Sequence, residues 1–371
     1  MNKDVVTMFR DEEYLIGLRR LFESFGYKKF KMRKFENYEL YLENKSFLRS
    51  GNIITVTGPK GRLLAIKPDV TLSIVKNVRE DMLPAKYYYN ESVYIADSSD
   101  GSINESTQVG LEYIGDLDIR ALAEILLLAS ESLARVGDDY LIAISHMSFV
   151  SDILIDSGIG ESECNAIINL ISEKNLHGIR ALCSSLNVND EITERICSLA
   201  FVCGEFREEI KNAERFVCGD SSRAGYDELV ALSAIIDEFG LSDRFILDFS
   251  LMNDMNYYNG LVFQGFIQGV PKNVLSGGRY DNLVRRFGVE TSAAGFAVFT
   301  DVLDKFRYQS DEFDYDIFLL YSNECSADVV LKAELEFSKQ DLRCIAFNFE
   351  PDGLKYKKKA VMSSDGSIRY E

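Results

Sequence analysis

In residues 11–32, DEEYLIGLRRLFESFGYKKFKM, the apolar positions Tyr14, Leu15, Leu18, Leu21 and Phe22 recur at three- and four-residue intervals. That spacing predicts an amphipathic helix, and Gly26 stands where a helix C-cap belongs, with a strand expected to follow. The stretch NIITVTGPKGRLLAIKP places a Gly-Pro-Lys-Gly turn between two alternating runs, which predicts a hairpin. After Pro68, DVTLSIVKNV offers Asp69 or Thr71 as N-cap and Leu72, Val75 and Val78 as an apolar face. AKYYYNESVYIA and TQVGLEYIG read as two antiparallel strands joined by the loop DSSDGSINES, too rich in Ser, Asp and Gly to be regular. From Ile119 to about Phe239 the pattern is mainly helical, with one short strand, YLIAIS, at 140–145.

Strand character returns in RFILDFSLM and NGLVFQGFI, then in AAGFAVFTDVLDKF, a strand running into a helix. One sheet is thus interrupted by a helical insert. After the linker RYQSDEFD, residues 313–371 read as a separate α/β unit, with YDIFLLYS and RCIAFNF as strands around the helix ADVVLKAELEFSKQ.

A chain of 371 residues, 46% hydrophobic, has enough apolar sequence for at least one sizeable core. No run long enough to span a bilayer appears, and the charged start MNKDVVTMFRDEEYL does not read as a signal peptide, so a cytoplasmic protein without membrane contact is expected. Seven widely spaced cysteines without a C-x-x-C pair, and only two histidines, argue for reduced thiols and against a zinc site. The five between Cys164 and Cys218 are expected to be small core residues. A formal net charge of -18, with no gathering of Lys and Arg beyond the short run KYKKK at 355–359, excludes nucleic acid as an expected partner.

The chemistry starts at NVLSGGRYDNLVRRFG, residues 273–288, where Gly277 and Gly278 precede Arg279, Tyr280 and Asp281. Glycine permits close approach of backbone to a ligand, but a Gly-Gly pair is equally what a strand-to-helix turn shows. The order of motifs says more than any one of them. IKPDVTLSIVKNV, YYYNESVY, QVGLEYIGDLD, MNYYNGLVFQGF, LSGGRYDNLVRRFG and AAGFAVFTDVL resemble, in that order, the catalytic core of a class II histidyl-tRNA synthetase. The resemblance covers residues 1 to about 306. It implies an α+β fold, a class II synthetase-like antiparallel sheet flanked by helices, with a mainly helical insert at about 146–240, a dimer interface near Asp11–Met32, and a truncated C-terminal unit resembling an anticodon-binding domain.

The same resemblance implies a histidine pocket. Glu112 and Tyr258 match positions that hold the imidazole, Asp69 and Thr71 those that receive the amino group with Gln108 beside them, and Tyr257, Gly277, Gly278 and Tyr280 further parts of the wall. Taken singly, each is equally a surface carboxylate or a core tyrosine. The three arginines with which the family offsets charge at the α-phosphate are replaced by Tyr94, Asn253 and Val302. Losing one such donor typically costs a hundredfold or more, so adenylation is not expected.

A synthetase core with a histidine-shaped pocket and no ATP cations resembles the regulatory subunits of ATP phosphoribosyltransferase. That resemblance implies a non-catalytic chain without cofactors. It would act as a homodimer within a hetero-oligomer with short-form catalytic subunits, support their activity and convey histidine feedback. An unrelated amino-acid sensor or scaffold, and an active histidyl-tRNA synthetase, are the competing readings.

Overall fold

The computed structural model describes residues 4–44, 53–96, 102–251, 257–307, 313–340 and 342–371. The chain divides into two compact units, one of Asp11–Leu303 and one in which Asp304–Glu371 cluster with Met1–Arg10.

The first helix, α1 (Asp4–Ser24), ends as its sequence indicates: Gly26 takes φ +84° and the Tyr27 amide turns back to the Phe22 carbonyl (3.1 Å). Only glycine reaches that conformation without strain. Strands β1 (Lys28–Lys29) and β2 (Phe35–Asn37) follow, then α2 (Tyr38–Glu43). The expected hairpin is β3 (Thr55–Thr57) and β4 (Leu63–Ile66), and β2 adds to it as a third strand on β4. Asp69 is the N-cap of α3 (Val70–Asn77), its carboxylate accepting from the Leu72 amide at 2.7 Å. The long strands β5 (Ala85–Ala96) and β6 (Ile103–Gly115) pair from Ala85 with Ile114 to Ala96 with Ile103. The polar stretch INES therefore belongs to a strand rather than to the loop, because pairing with β5 outweighs its weak intrinsic preference. Of the rest of the expected loop, Ser102 is irregular and 97–101 lie outside the described residues.

Helix α4 (Ile119–Ala134) leads to β7 (Tyr140–His146) and the insert: α5 (Met147–Asp156), α6 (Glu161–Ser172), α7 (Leu176–Ser185), α8 (Asp190–Leu199), β8 (Cys203–Glu205), α9 (Phe206–Ala213) and α10 (Asp220–Glu238). The chain then returns through β9 (Phe245–Asp248), β10 (Leu261–Ile267), β11 (Leu275–Arg279), α11 (Asp281–Arg286), β12 (Ser292–Phe299) and α12 (Thr300–Arg307). The large sheet has the order β1-β5-β6-β12-β11-β10-β7-β9-β8. It is mixed rather than purely antiparallel, since β1 runs parallel to β5 and β7 parallel to β9. The insert is not all helix either. β8 pairs with β9 and extends the sheet, and it carries Cys203, which is exposed against expectation, whereas Cys164, Cys183 and Cys197 are buried as small core residues.

Strand alternation gives the central sheet two unlike faces. Leu111, Tyr88, Phe296 and Phe263 point to one, where Phe22 of α1 meets Phe296 edge-on at 6.0 Å. Cross-strand partners Tyr89 and Gly110, Glu112 and Gly295, then Gly295 and Gly278, share the other. That second face is glycine-rich at its centre, which leaves room above it.

The smaller unit contains β13 (Tyr315–Tyr321), α13 (Ala327–Ser338), β14 (Cys344–Phe347), β15 (Tyr356–Met362) and β16 (Ile368–Tyr370), in the sheet order β14-β13-β15-β16. The last two strands are absent from the sequence expectation. The basic run is part of β15, where Lys357 bonds Asp316 (2.7 Å) and Lys359 bonds Glu350 (2.6 Å), so two of its ammonium groups are paired within the unit.

Candidate functional site

The glycine-rich face forms the floor of a cavity of about 220 Å³. Asp69, Thr71, Gln108, Glu112, Tyr257, Tyr258 and Tyr280, which lie far apart in sequence, all line it, together with Tyr89, Ser106, Ser276, Gly295 and Phe296. Each arrives by a simple local route. Gln108 and Glu112 stand four residues apart on β6 and so face the same side of the sheet. Thr71 is brought over the sheet by the first turn of α3, and Tyr280 by the break between β11 and α11.

Glu112, 2% exposed, is the polar centre of the cavity. Thr71 donates its hydroxyl to one carboxylate oxygen (2.6 Å) and Tyr280 donates to the other (2.5 Å). A carboxylate in so dry a place stands only if donors meet it, and hydroxyls aimed at an ionised group are among the stronger hydrogen bonds. Burial first, and then the Glu112 charge, hold the Tyr280 phenol far above its ordinary value, so it remains a donor. Tyr257 and Tyr258 make an edge-on pair (4.6 Å, 74°), and Tyr257 also lies against Tyr280 (6.1 Å). The result is an aromatic wall beside a carboxyl group held by two hydroxyls.

The two expected glycines separate. Both sit within β11 rather than in a turn, and neither has positive φ. A Cβ on Gly278 would strike the Tyr258 ring at 2.7 Å, so this glycine seats a cavity wall without lining it. Gly277 faces the opposite side, where a Cβ would meet Phe263 and Phe296 at 2.5 and 2.6 Å. It is a packing glycine of the core. The glycine that the site depends on most is Gly295, whose Cβ would fall 1.9 Å from a Glu112 oxygen. Its sequence signal was the small residue in AAGFAVF, but only the pairing of Gly295 with Glu112 gives it a role.

Of the three positions read as arginine replacements, Tyr94 is half-buried and donates to Glu105 (2.9 Å), and Val302 is half-buried against the core. Asn253 lies outside the described residues. Below Arg279 and Asp281 runs a second polar group: Arg279 Nε bonds Asp281 (2.9 Å), Arg279 Nη1 lies 3.6 Å from Glu228 of α10, and His146 Nε2 lies 3.3 Å from the same carboxylate. Asp281 also accepts from the Ala293 amide (3.0 Å), which fixes the chain on either side of Tyr280.

A basic stretch passed over in the sequence, Lys28, Lys29, Lys31, Arg33 and Lys34, is exposed, and Lys31 and Arg33 border a second cavity of about 420 Å³ with Lys76 and the buried Glu36. Among the described residues no group of His, Cys, Asp and Glu has the arrangement of a metal site, and no helix is long and apolar enough to cross a membrane.

Comparison with known proteins gives the family and the fold. The family described as histidyl-tRNA synthetase matches residues 8–303. An ATP phosphoribosyltransferase regulatory subunit from Caldanaerobacter subterraneus subsp. tengcongensis is 31% identical over 309 residues, 80% of this chain and 79% of that protein. One from Ruminiclostridium cellulolyticum is 26% identical over 98% of this chain and 88% of its own length. The crystal structure of an ATP phosphoribosyltransferase regulatory subunit/histidyl-tRNA synthetase from Bacillus halodurans shares the fold, with a TM-score of 0.78 at 23% identity over 96% of this chain and 94% of that one.

Proposed function

The chain belongs to the histidyl-tRNA synthetase-like family of ATP phosphoribosyltransferase regulatory subunits, the non-catalytic partners of that enzyme in histidine biosynthesis, and we propose that it senses free histidine in the cavity built around Glu112. As a regulatory subunit it works in complex with the catalytic subunit. On our reading the partner is a short-form catalytic chain that depends on this one for activity, and histidine bound here lowers that activity.

The observation that carries the proposal is the convergence of Thr71, Tyr280 and Glu112 in one cavity, open to solvent and of amino-acid size, that Tyr257 and Tyr258 also line. An imidazole N–H can donate to Glu112 while an ammonium group approaches Asp69 and Thr71, and the tyrosine rings cover the faces of the ligand. Regulation then requires only that histidine bind one quaternary state better than another, and the shift is bounded by that difference in affinity.

Co-expression with a short catalytic subunit tests it directly. Phosphoribosyl-ATP formation is expected to depend on this chain and to fall with added histidine. Glu112→Ala should weaken the histidine response roughly tenfold to a hundredfold, the cost of about 1 to 3 kcal/mol for an unpaired ring donor, while activation persists. Unchanged inhibition in Glu112→Ala and Asp69→Ala together would remove the cavity from the explanation.

A further inference from the structure

Building on the reading that the cavity takes histidine, we infer that Glu228 and Arg279 are positioning residues for that ligand. They join α10 of the insert to the wall that carries Tyr258 and Tyr280, so that the insert sets the affinity of a cavity lined from other segments. The connection starts where α10 packs on the junction of β7 and α5. Gly225 lets the helix settle there, since a Cβ would fall 2.7 Å from the His146 ring. Glu228, about one turn further along, then lies with one oxygen 3.3 Å from His146 Nε2 and the other 3.6 Å from Arg279 Nη1. The imidazole is oriented for this. Its Nδ1 accepts from the Ser148 amide (3.3 Å), which leaves the proton of a neutral ring on the nitrogen that faces Glu228.

Arg279 carries the connection onward. Its Nε bonds Asp281 (2.9 Å) and its Nη2 donates to Ser292 (3.1 Å), while Nη1 faces Glu228. The side chain lies over Gly260, where a Cβ would stand 2.8 Å from Arg279 Cδ. The buried Asp281 donates its amide to Asn259 Oδ1 (2.8 Å), and Asn259 donates its own amide to the Arg279 carbonyl (3.1 Å). The residues on either side of Tyr280 are thus stapled to the residue that follows Tyr258. A shift of the Arg279 guanidinium is passed to both tyrosines, which line the cavity, and through Tyr280 to Glu112. A planar guanidinium serves three partners in fixed directions, whereas a lysine ammonium on a flexible stem does not hold that geometry. Groups that share one such network respond to substitution together rather than independently.

The test is calorimetry with L-histidine on the full chain and on its Glu112→Ala, Glu228→Gln, Arg279→Lys, Glu228→Gln/Arg279→Lys and Asp227→Asn variants, with thermal unfolding of each. Glu228→Gln and Arg279→Lys should each weaken histidine binding at least about threefold, and the double variant should bind about as well as the weaker of the two, because both act through one connection. Asp227→Asn removes the same charge from an exposed neighbouring position on α10 and should leave the affinity unchanged. A merely structural contribution would lower the unfolding temperature without moving the dissociation constant. Should Arg279→Lys fail to fold, Glu228→Gln measured against Asp227→Asn decides. An affinity unchanged in Glu228→Gln, losses that multiply in the double variant, or an equal loss in Asp227→Asn overturns the positioning role while leaving histidine sensing intact. A parent chain that does not bind histidine, or whose binding survives Glu112→Ala unweakened, overturns the cavity reading and the inference with it.

Discussion

Glu112 and Tyr280 are separated by 168 positions in sequence, yet their hydrogen bond of 2.5 Å lies in one of the driest parts of the molecule. Tyr280→Phe leaves the ring, and hence the packing against Tyr257, in place and removes only the donor. A hydrogen bond to a charged group contributes about 1.5–3 kcal/mol, and Tyr280 is itself only 2% exposed, so water is poorly placed to replace the lost hydroxyl. We expect the variant to lose about 2 kcal/mol of stability in urea unfolding with an unchanged slope. Glu112→Gln removes the charge but keeps one carbonyl oxygen, so one of the two hydroxyl donors must turn. In the double variant these losses should fall short of their sum by about 1 kcal/mol, because the two residues share one interaction. A coupling energy near zero, or a Tyr280→Phe variant as stable as the parent, would refute the claim that the hydroxyl holds the carboxylate.

Gly295→Ala should destabilise the larger unit by about 1–3 kcal/mol and abolish histidine binding, because the new methyl falls within 2.3 Å of the Leu111 carbonyl and closer still to Glu112; unfolding and calorimetry on the same preparation read both effects. In the smaller unit, burial acts to raise the Asp316 value, but hydrogen bonds from Lys357 and from the backbone and side chain of Arg343 bring it down to about 2. A depressed carboxylate contributes stability that is complete above its unfolded value near 3.9 and is lost as pH falls through the folded one. Asp316→Asn should therefore cost up to about 2 kcal/mol at pH 7, shrinking between pH 4 and 2, and a cost independent of pH would contradict the assignment. Sedimentation of the isolated chain should give twice the monomer mass if Asp11–Met32 forms an isologous interface, and a monomer at micromolar concentration would count against it.

The elements legible in the sequence are those whose signals are local. The helix ending at Gly26, the Asp69 cap and the hairpin turn at Gly58–Gly61 are set by spacing, capping chemistry and turn residues within a few positions. The elements missed owe their existence to distant partners. β8 is three residues long and exists by pairing Cys203 with Asp248, and β15 takes up the lysine run because Asp316 and Glu350 receive two of its ammonium groups. No window of adjacent residues contains that information. The same holds at the cavity: Asp69, Thr71, Gln108, Glu112 and the tyrosines were recognisable by motif, whereas Gly295 and Tyr89 acquire their place only through strand register. Gly277 shows the converse error. The motif pairs it with Gly278, but adjacent residues in a strand face opposite sides of the sheet, and Gly277 meets Phe263 and Phe296 instead of the cavity.

Residue identity also leaves open why Thr71, Glu112 and Tyr280 occur together. A buried carboxylate needs its donors whether or not a ligand comes, so the trio would be retained in a core that had lost all binding. Ligand competition separates the two cases. If Glu112 accepts from an imidazole N–H, its oxygens are shared between the ligand and the two hydroxyls, and the coupling between Glu112 and Tyr280 should fall when the double-mutant cycle is repeated at saturating histidine. The expected decrease is about half of the ligand-free coupling, some 0.5 kcal/mol, measurable by unfolding each variant with and without ligand. A coupling energy that histidine leaves untouched would identify the trio as core architecture and move the histidine site elsewhere in the assembly.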